Sequence, residues 1–141
     1  MAERPTRLLE LRFRADPHGL KAVREEVERA TAGLDLPRKV VTDLVIAVNE
    51  ACMNIIEHAY KGDASGEIVL EINNNAGEIE VVLTDFAAPV DFASIRPRNL
   101  EELRPGGLGT HFMNAIMDRC AYAHLDDRCG NVLRMVKRVR A

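Results

Sequence analysis

The sequence predicts an α/β (α+β) fold. We expect a two-layer sandwich whose mixed, mostly antiparallel sheet is covered on one face by helices. Three observations predict it. Residues 37–60 keep helical spacing of apolar side chains for longer than any other segment. Two alternating segments, around 68–72 and 79–83, flank an Asn- and Gly-rich turn and read as a hairpin. The order of segments, β-α-α-β-β-loop-α-β-β, groups strands as neighbours rather than alternating them strictly with helices. The chain of 141 residues is expected to form a single domain over 1–141, long enough to bury a core. With no Trp, two Tyr and four Phe, that core must be aliphatic.

The elements follow in order. Leu9, Leu11 and Phe13 alternate with Glu10, Arg12 and Arg14, as in a strand with one buried face. Asp16 reads as a helix cap with Pro17 in the first turn. Leu20, Val23, Val27 and Ala30 continue that helix, and Gly33 is expected to end it. Asp35 and Pro37 announce the second helix, from about Pro37 to Tyr60. Its stripe is Val41, Leu44, Val48, Ala51, Ile55 and Ala59, with Asp43, Glu50, Asn54 and His58 as a polar line beside it. Asn73 to Gly77 is expected to turn the hairpin. Pro89 to Pro105, bounded by prolines and charged, reads as a long loop of the kind that serves as a lid. A helix begins near Leu108, and Ala121–Leu125 and Val132–Val139 are the closing strands.

The formal net charge of −3 argues against a protein that coats nucleic acid. The basic end from Arg134 to Arg140 reads as a solvated strand face. No apolar run approaches the ~18 residues of a membrane span, and the first residues carry no apolar signal run. Cys52, Cys120 and Cys129 lack metal-type spacing and read as reduced thiols. A cytoplasmic location is the expectation.

Three short motifs carry chemistry, each weak alone. In Glu50-Ala-Cys-Met-Asn54-Ile-Ile-Glu-His58-Ala-Tyr60, Glu50 and Asn54 lie within about 40° of each other on one helix face. An Asn amide oxygen suits magnesium, and a Glu one turn earlier is placed to deprotonate a nucleophile. Alone, the same pair is mostly the polar stripe of an exposed helix, and His58 mostly a structural histidine. Asp85, closing an apolar strand before Phe86-Ala87-Ala88-Pro89, can accept a hydrogen bond from the adenine amino group, where a guanine carbonyl would be repelled. Its bland alternative is a turn-forming Asp. Pro105-Gly106-Gly107-Leu108-Gly109-Thr110 would let backbone approach phosphates at a helix start. Glycine pairs before helices are common for other reasons.

Together these segments resemble the GHKL ATPase superfamily with its Bergerat nucleotide-binding fold, and within it the anti-sigma-factor serine/threonine kinases of bacterial partner-switching systems. The resemblance spans nearly the whole chain, to Gly130-Asn-Val-Leu-Arg-Met-Val-Lys-Arg. It implies ATP and Mg2+ as cofactors, Glu50 as catalytic base and Asn54 as magnesium ligand, with His58 continuing that motif. It also implies Asp85 as the adenine reader, with Ala87 beside it, and Gly106, Gly107, Leu108, Gly109 and Thr110 around the phosphates. Arg96, Arg98 and Arg104 are the lid arginines, of which one is expected to meet the γ-phosphate. Two positions depart from the family pattern. Ala87 stands for the glycine of D-x-G-x-P, and Asn131 for the threonine of the last box.

The implied activity is phosphorylation of a STAS-domain antagonist, combined with binding of a sigma factor or comparable regulator. The implied assembly is a homodimer, with the first strand as the expected contact. Two other readings follow from the same residues. One is a non-catalytic nucleotide-gated binding module, which Ala87 favours. The other is the ATP-binding half of a histidine kinase, for which 141 residues leave no room for a separate phosphoacceptor helical pair.

Overall fold

The computed structural model describes residues 6–91, 113–126 and 129–139. Strand β1 (Thr6–Arg14) leads through a 3-10 turn (Pro17–Gly19) into helix α1 (Leu20–Thr31). Asp16 caps that turn by accepting the His18 amide at 3.0 Å, as its sequence position suggests. Helix α2 (Arg38–Asn54) continues into a π-helical turn (Ile55–Ala59). The hairpin of β2 (Glu67–Asn75) and β3 (Glu78–Asp85) follows. Residues 113–116 are helical, and β4 (Arg119–His124) and β5 (Asn131–Arg138) close the fold.

The sheet order is β1-β2-β3-β5-β4, and each of its four pairings is antiparallel. The expected antiparallel leaning is therefore complete among the described residues. Strand β5 inserts beside β3, so the last strand in sequence lies in the interior of the sheet and β4 at its edge. Alternation decides the buried face. Ile68, Leu70 and Ile72 of β2, Ile79, Val81 and Leu83 of β3, and Leu133 and Met135 of β5 pack on Val27 of α1 and on Leu44, Val48 and Ala51 of α2. On the other face, Arg12–Glu67 (2.8 Å) and Arg134–Glu80 (3.3 Å) are exposed ion pairs. Arg134, from the basic end, is thus partnered on a solvated strand face. Each such pair is worth little, about 0–1 kcal/mol.

Two turns and the form of one helix end differ from the sequence reading. Helix α1 ends at Thr31, where its apolar spacing stops, and a 3-10 turn (Ala32–Leu34) follows. The left-handed residue is Asp35, with φ 54°, and not Gly33. Aspartate tolerates that region better than most residues, so glycine is not required. Asn73 to Asn75 belong to β2, and the hairpin turns on Ala76 and Gly77 alone, both with positive φ as a two-residue primed turn demands. The second helix does reach the neighbourhood of Tyr60, but its last turn is π-helical.

Candidate functional site

Strand β3 alternates inward at Ile79, Val81 and Leu83, and the next inward position is Asp85. A carboxylate therefore stands where the strand's period calls for an apolar side chain, with 2% of its surface exposed. Its cross-strand partner in β5 is Asn131, also buried. Asn131 Nδ2 donates to Asp85 Oδ1 at 2.9 Å and to the Ala88 carbonyl at 3.2 Å. The Ala87 amide donates to the same Asp85 oxygen at 3.0 Å. Burial pushes the Asp85 carboxyl above the usual carboxylate range, and the bonds from Asn131 and Ala87 oppose that shift. A buried, partly satisfied carboxylate at the end of a core is suited to a ligand that brings a donor.

The cavity beside this pair is small, about 30 Å³, and opens to solvent. Helix α2 and its π turn supply Ala51, Asn54, Ile55 and His58 to the wall. Strands β3 and β5 supply Leu83, Asp85 and Asn131, and Tyr122 enters from β4. Asn54 is 6% exposed, unusual for an amide on a helix that could have turned it to solvent. Val90 forms another part of the wall and is held at both backbone groups. Its amide donates to Asn131 Oδ1 at 2.9 Å, and its carbonyl lies 2.9 Å from His124 Nε2.

The π turn keeps His58 on the same wall as Asn54. Its longer repeat shows in the bond from the Tyr60 amide to the Ile55 carbonyl, 3.0 Å. Gly130, just before Asn131, has φ 92° and donates to the Ala87 carbonyl at 2.6 Å. A Cβ there would lie 2.5 Å from Leu125 Cβ, so this glycine is required for both conformation and space.

The expected residues divide as follows. Asn54, His58 and Asp85 line one pocket. Glu50 lies one turn before Asn54 on α2, half-buried, and outside the residues that line this pocket. Ala87 meets the site through its backbone, at Asp85 and Gly130. Arg96, Arg98, Arg104, Gly106, Gly107, Leu108, Gly109 and Thr110 lie outside the described residues, as does most of the expected lid. Asn131 was singled out only as a departure from a family pattern, and its pairing with Asp85 exceeds what that signal contained. Tyr122 and Val90 carry no sequence signal for this pocket.

Ala87 does not take a left-handed φ. The turn after Asp85 therefore needs no glycine at this position, and the departure from D-x-G-x-P is accommodated without strain. We expect Ala87→Gly to bind ATP within about twofold of the natural chain, since it deletes one methyl without changing a required backbone conformation. Calorimetric titration measures this. A clear loss would mean that the methyl is a fitted part of the pocket.

A five-stranded antiparallel sheet under one helical layer, with a buried Asp at the end of a strand and a buried Asn on the facing helix, defines an ATPase domain of the GHKL type. Residues 13–137 match the histidine kinase-like ATPase domain family, and the chain belongs to that family. It is similar to the serine-protein kinase RsbW of Bacillus subtilis, 29% identical over 118 residues, which is 78% of this chain and 74% of the relative. The Bacillus cereus RsbW is 33% identical over 92 residues, and there the match spans only 57% of the relative's length. Among solved structures, the RsbU and RsbW domains of a Mycobacterium tuberculosis protein align over 99% of this chain and 34% of theirs, with TM-score 0.67 and 20% identity. The SiaB–SiaC complex of Pseudomonas aeruginosa aligns over 92% of this chain and 90% of its counterpart, with TM-score 0.69 and 17% identity. The chain is thus an ATPase domain of the GHKL type, as the resemblance implied, and the relatives it is similar to are serine-protein kinases. No helix among the described residues is long and apolar enough to cross a membrane.

Proposed function

We propose that this protein transfers the γ-phosphoryl group of Mg-ATP to a serine or threonine hydroxyl of a STAS-domain antagonist. In the same switch, it binds a sigma factor or comparable regulator. The observation that carries this reading is the convergence of Asn54, His58, Asp85 and Asn131 on one pocket. Asp85 accepts the adenine amino group through the oxygen not already occupied by Asn131 and Ala87. Asn54 offers a hard neutral oxygen for magnesium. Among the described residues no cluster of three or more His, Cys, Asp or Glu could cage a metal by itself. A donor set of one amide plus nucleotide phosphates is what magnesium commonly accepts. When bound, the metal would supply charge neutralisation on the phosphates.

Glu50 accepts the proton of the attacking hydroxyl, and the bond to the leaving ADP oxygen breaks as the new ester oxygen bond forms. The phosphate loop is proposed from the sequence alone to be residues 106–110, which lie outside the described residues. Positioning and charge complementarity supply most of the rate enhancement. We place the protein in the cytoplasm, as a homodimer. Strand β1 supports that assembly, because it is a sheet edge whose Leu9, Leu11 and Phe13 are only half-buried. The second reading is a non-catalytic nucleotide-gated module, which the methyl of Ala87 beside the pocket favours, although its backbone takes no left-handed φ.

The test is incubation of the chain with labelled ATP and a STAS protein encoded at a neighbouring locus. We expect label on serine or threonine of the STAS protein. We also expect the phosphorylated form to bind more weakly, because phosphate adds about −2 of charge beside a negatively charged nucleotide. ATP binding without transfer to any such protein would leave a nucleotide-gated module. Equal affinity for both forms would remove the switch.

A further inference from the structure

Tyr60 has no role in the site described so far. It follows the π turn and so ends the helical segment that carries Asn54 and His58. Its hydroxyl donates to the carbonyl of Glu67, the first residue of β2, and accepts the amide of Phe86 at 2.9 Å. Phe86 directly follows Asp85. One phenol thus joins the end of the Asn54 helix to the start of one strand and to the turn that holds the buried carboxylate. Gly66 makes room for it. A Cβ at that position would lie 2.3 Å from Tyr60 Cε1, and Gly66 has no left-handed φ to explain the glycine otherwise. The close approach of the ring is therefore the reason for glycine there. Burial also pushes the phenol's proton affinity up, which keeps it a neutral donor.

We propose that Tyr60 is a positioning residue for nucleotide binding, fixing the separation between the Asn54 end of the pocket and the Asp85 turn. The proposal rests on the reading of this pocket as the ATP site. Adenine at Asp85 and phosphates near Asn54 are two ends of one ligand, so the span between them must match its length. Along the chain, Tyr60 and Phe86 are separated by a whole hairpin. The lateral bond through the Tyr60 hydroxyl is the shorter tether. Without it the Phe86 amide turns to water, and the carboxylate beside it samples positions that miss the base. Binding then suffers while the transfer step, once ATP is seated, does not.

The experiment uses the full chain with Tyr60→Phe and, independently, Gly66→Ala, which crowds the same ring from the other side. ATP affinity by calorimetry, KM for ATP, kcat for phosphoryl transfer and thermal unfolding are measured together. We expect both variants to raise KM for ATP roughly fivefold or more, with kcat within about twofold. Discrimination of ATP over GTP should shrink in parallel, because it depends on the aim of Asp85. A folded Tyr60→Phe with unchanged KM overturns the proposal, whatever its melting temperature, since the residue would then serve stability alone. A fall in kcat at unchanged KM overturns it as well. If Tyr60→Phe does not fold, Gly66→Ala decides by the same readouts, and failure of both to fold assigns Tyr60 to the fold and not to the site. A natural chain that binds no ATP would instead remove the reading of the pocket itself.

Discussion

Glu50→Ala is expected to retain ATP binding and to lose phosphoryl transfer by at least ~100-fold, the usual cost of deleting a positioned base. Glu50 is half-buried on α2, one turn before Asn54, and does not line the described pocket. Its removal should therefore leave nucleotide affinity nearly intact. Single-turnover transfer and calorimetric ATP titration, run on the same preparation, separate the two effects. Unchanged single-turnover rates would end the assignment of Glu50 as base. Asn54→Ala is the necessary contrast. It should weaken ATP binding mainly when magnesium is present, and identical titrations with and without the ion would show that Asn54 is not the ligand.

Asp85→Asn is expected to weaken ATP binding by roughly 10–100-fold. The contact proposed between Asp85 and the adenine amino group would be a charge-assisted hydrogen bond worth about 1.5–3 kcal/mol, and each 1.4 kcal/mol is tenfold. The same substitution should leave the ligand-free fold as stable or more stable. An Asn amide oxygen can still accept from Asn131 Nδ2 and the Ala87 amide, while the buried charge is gone. The pH dependence has a definite sign. Burial raises the Asp85 carboxyl, so the folded state favours its protonated form more than the unfolded state does. That contribution is fully present below the unfolded carboxyl's titration and is lost as pH rises through the folded one. Ligand-free natural protein should therefore lose this increment of stability on going from acid toward neutral pH, and Asp85→Asn should not. Melting temperatures across that range for both proteins check it. A variant that melts far below the natural chain at neutral pH would mean that the carboxylate's charge is itself held by the fold.

Much of this architecture is legible along the chain because burial imposes a period. The 3.6-residue stripe from Val41 to Ala59 located the second helix and its polar line, and alternation located the β2–β3 hairpin. Local chemistry likewise marked Asp16 as a cap. The same period led to the Asp85 strand end, since Ile79, Val81 and Leu83 already define the inward face. Where two local conformations compete closely, the sequence signal fails. Gly33 invited a left-handed C-cap, yet a 3-10 turn carries the chain on to Asp35 before the reversal occurs.

What the chain by itself determined was the set of elements, the inward faces and the three motifs, because each depends on residues within a few positions of one another. Tertiary structure alone decided that β5 enters between β3 and β4 and so sets Asn131 opposite Asp85, 46 residues away. It also decided that Tyr60 reaches Phe86, and that Val90 is held between Asn131 and His124. The physical reason is that periodicity states which side of an element is buried but not what it is buried against. Cross-strand partners follow from sheet order and register, which are settled by packing the whole core at once.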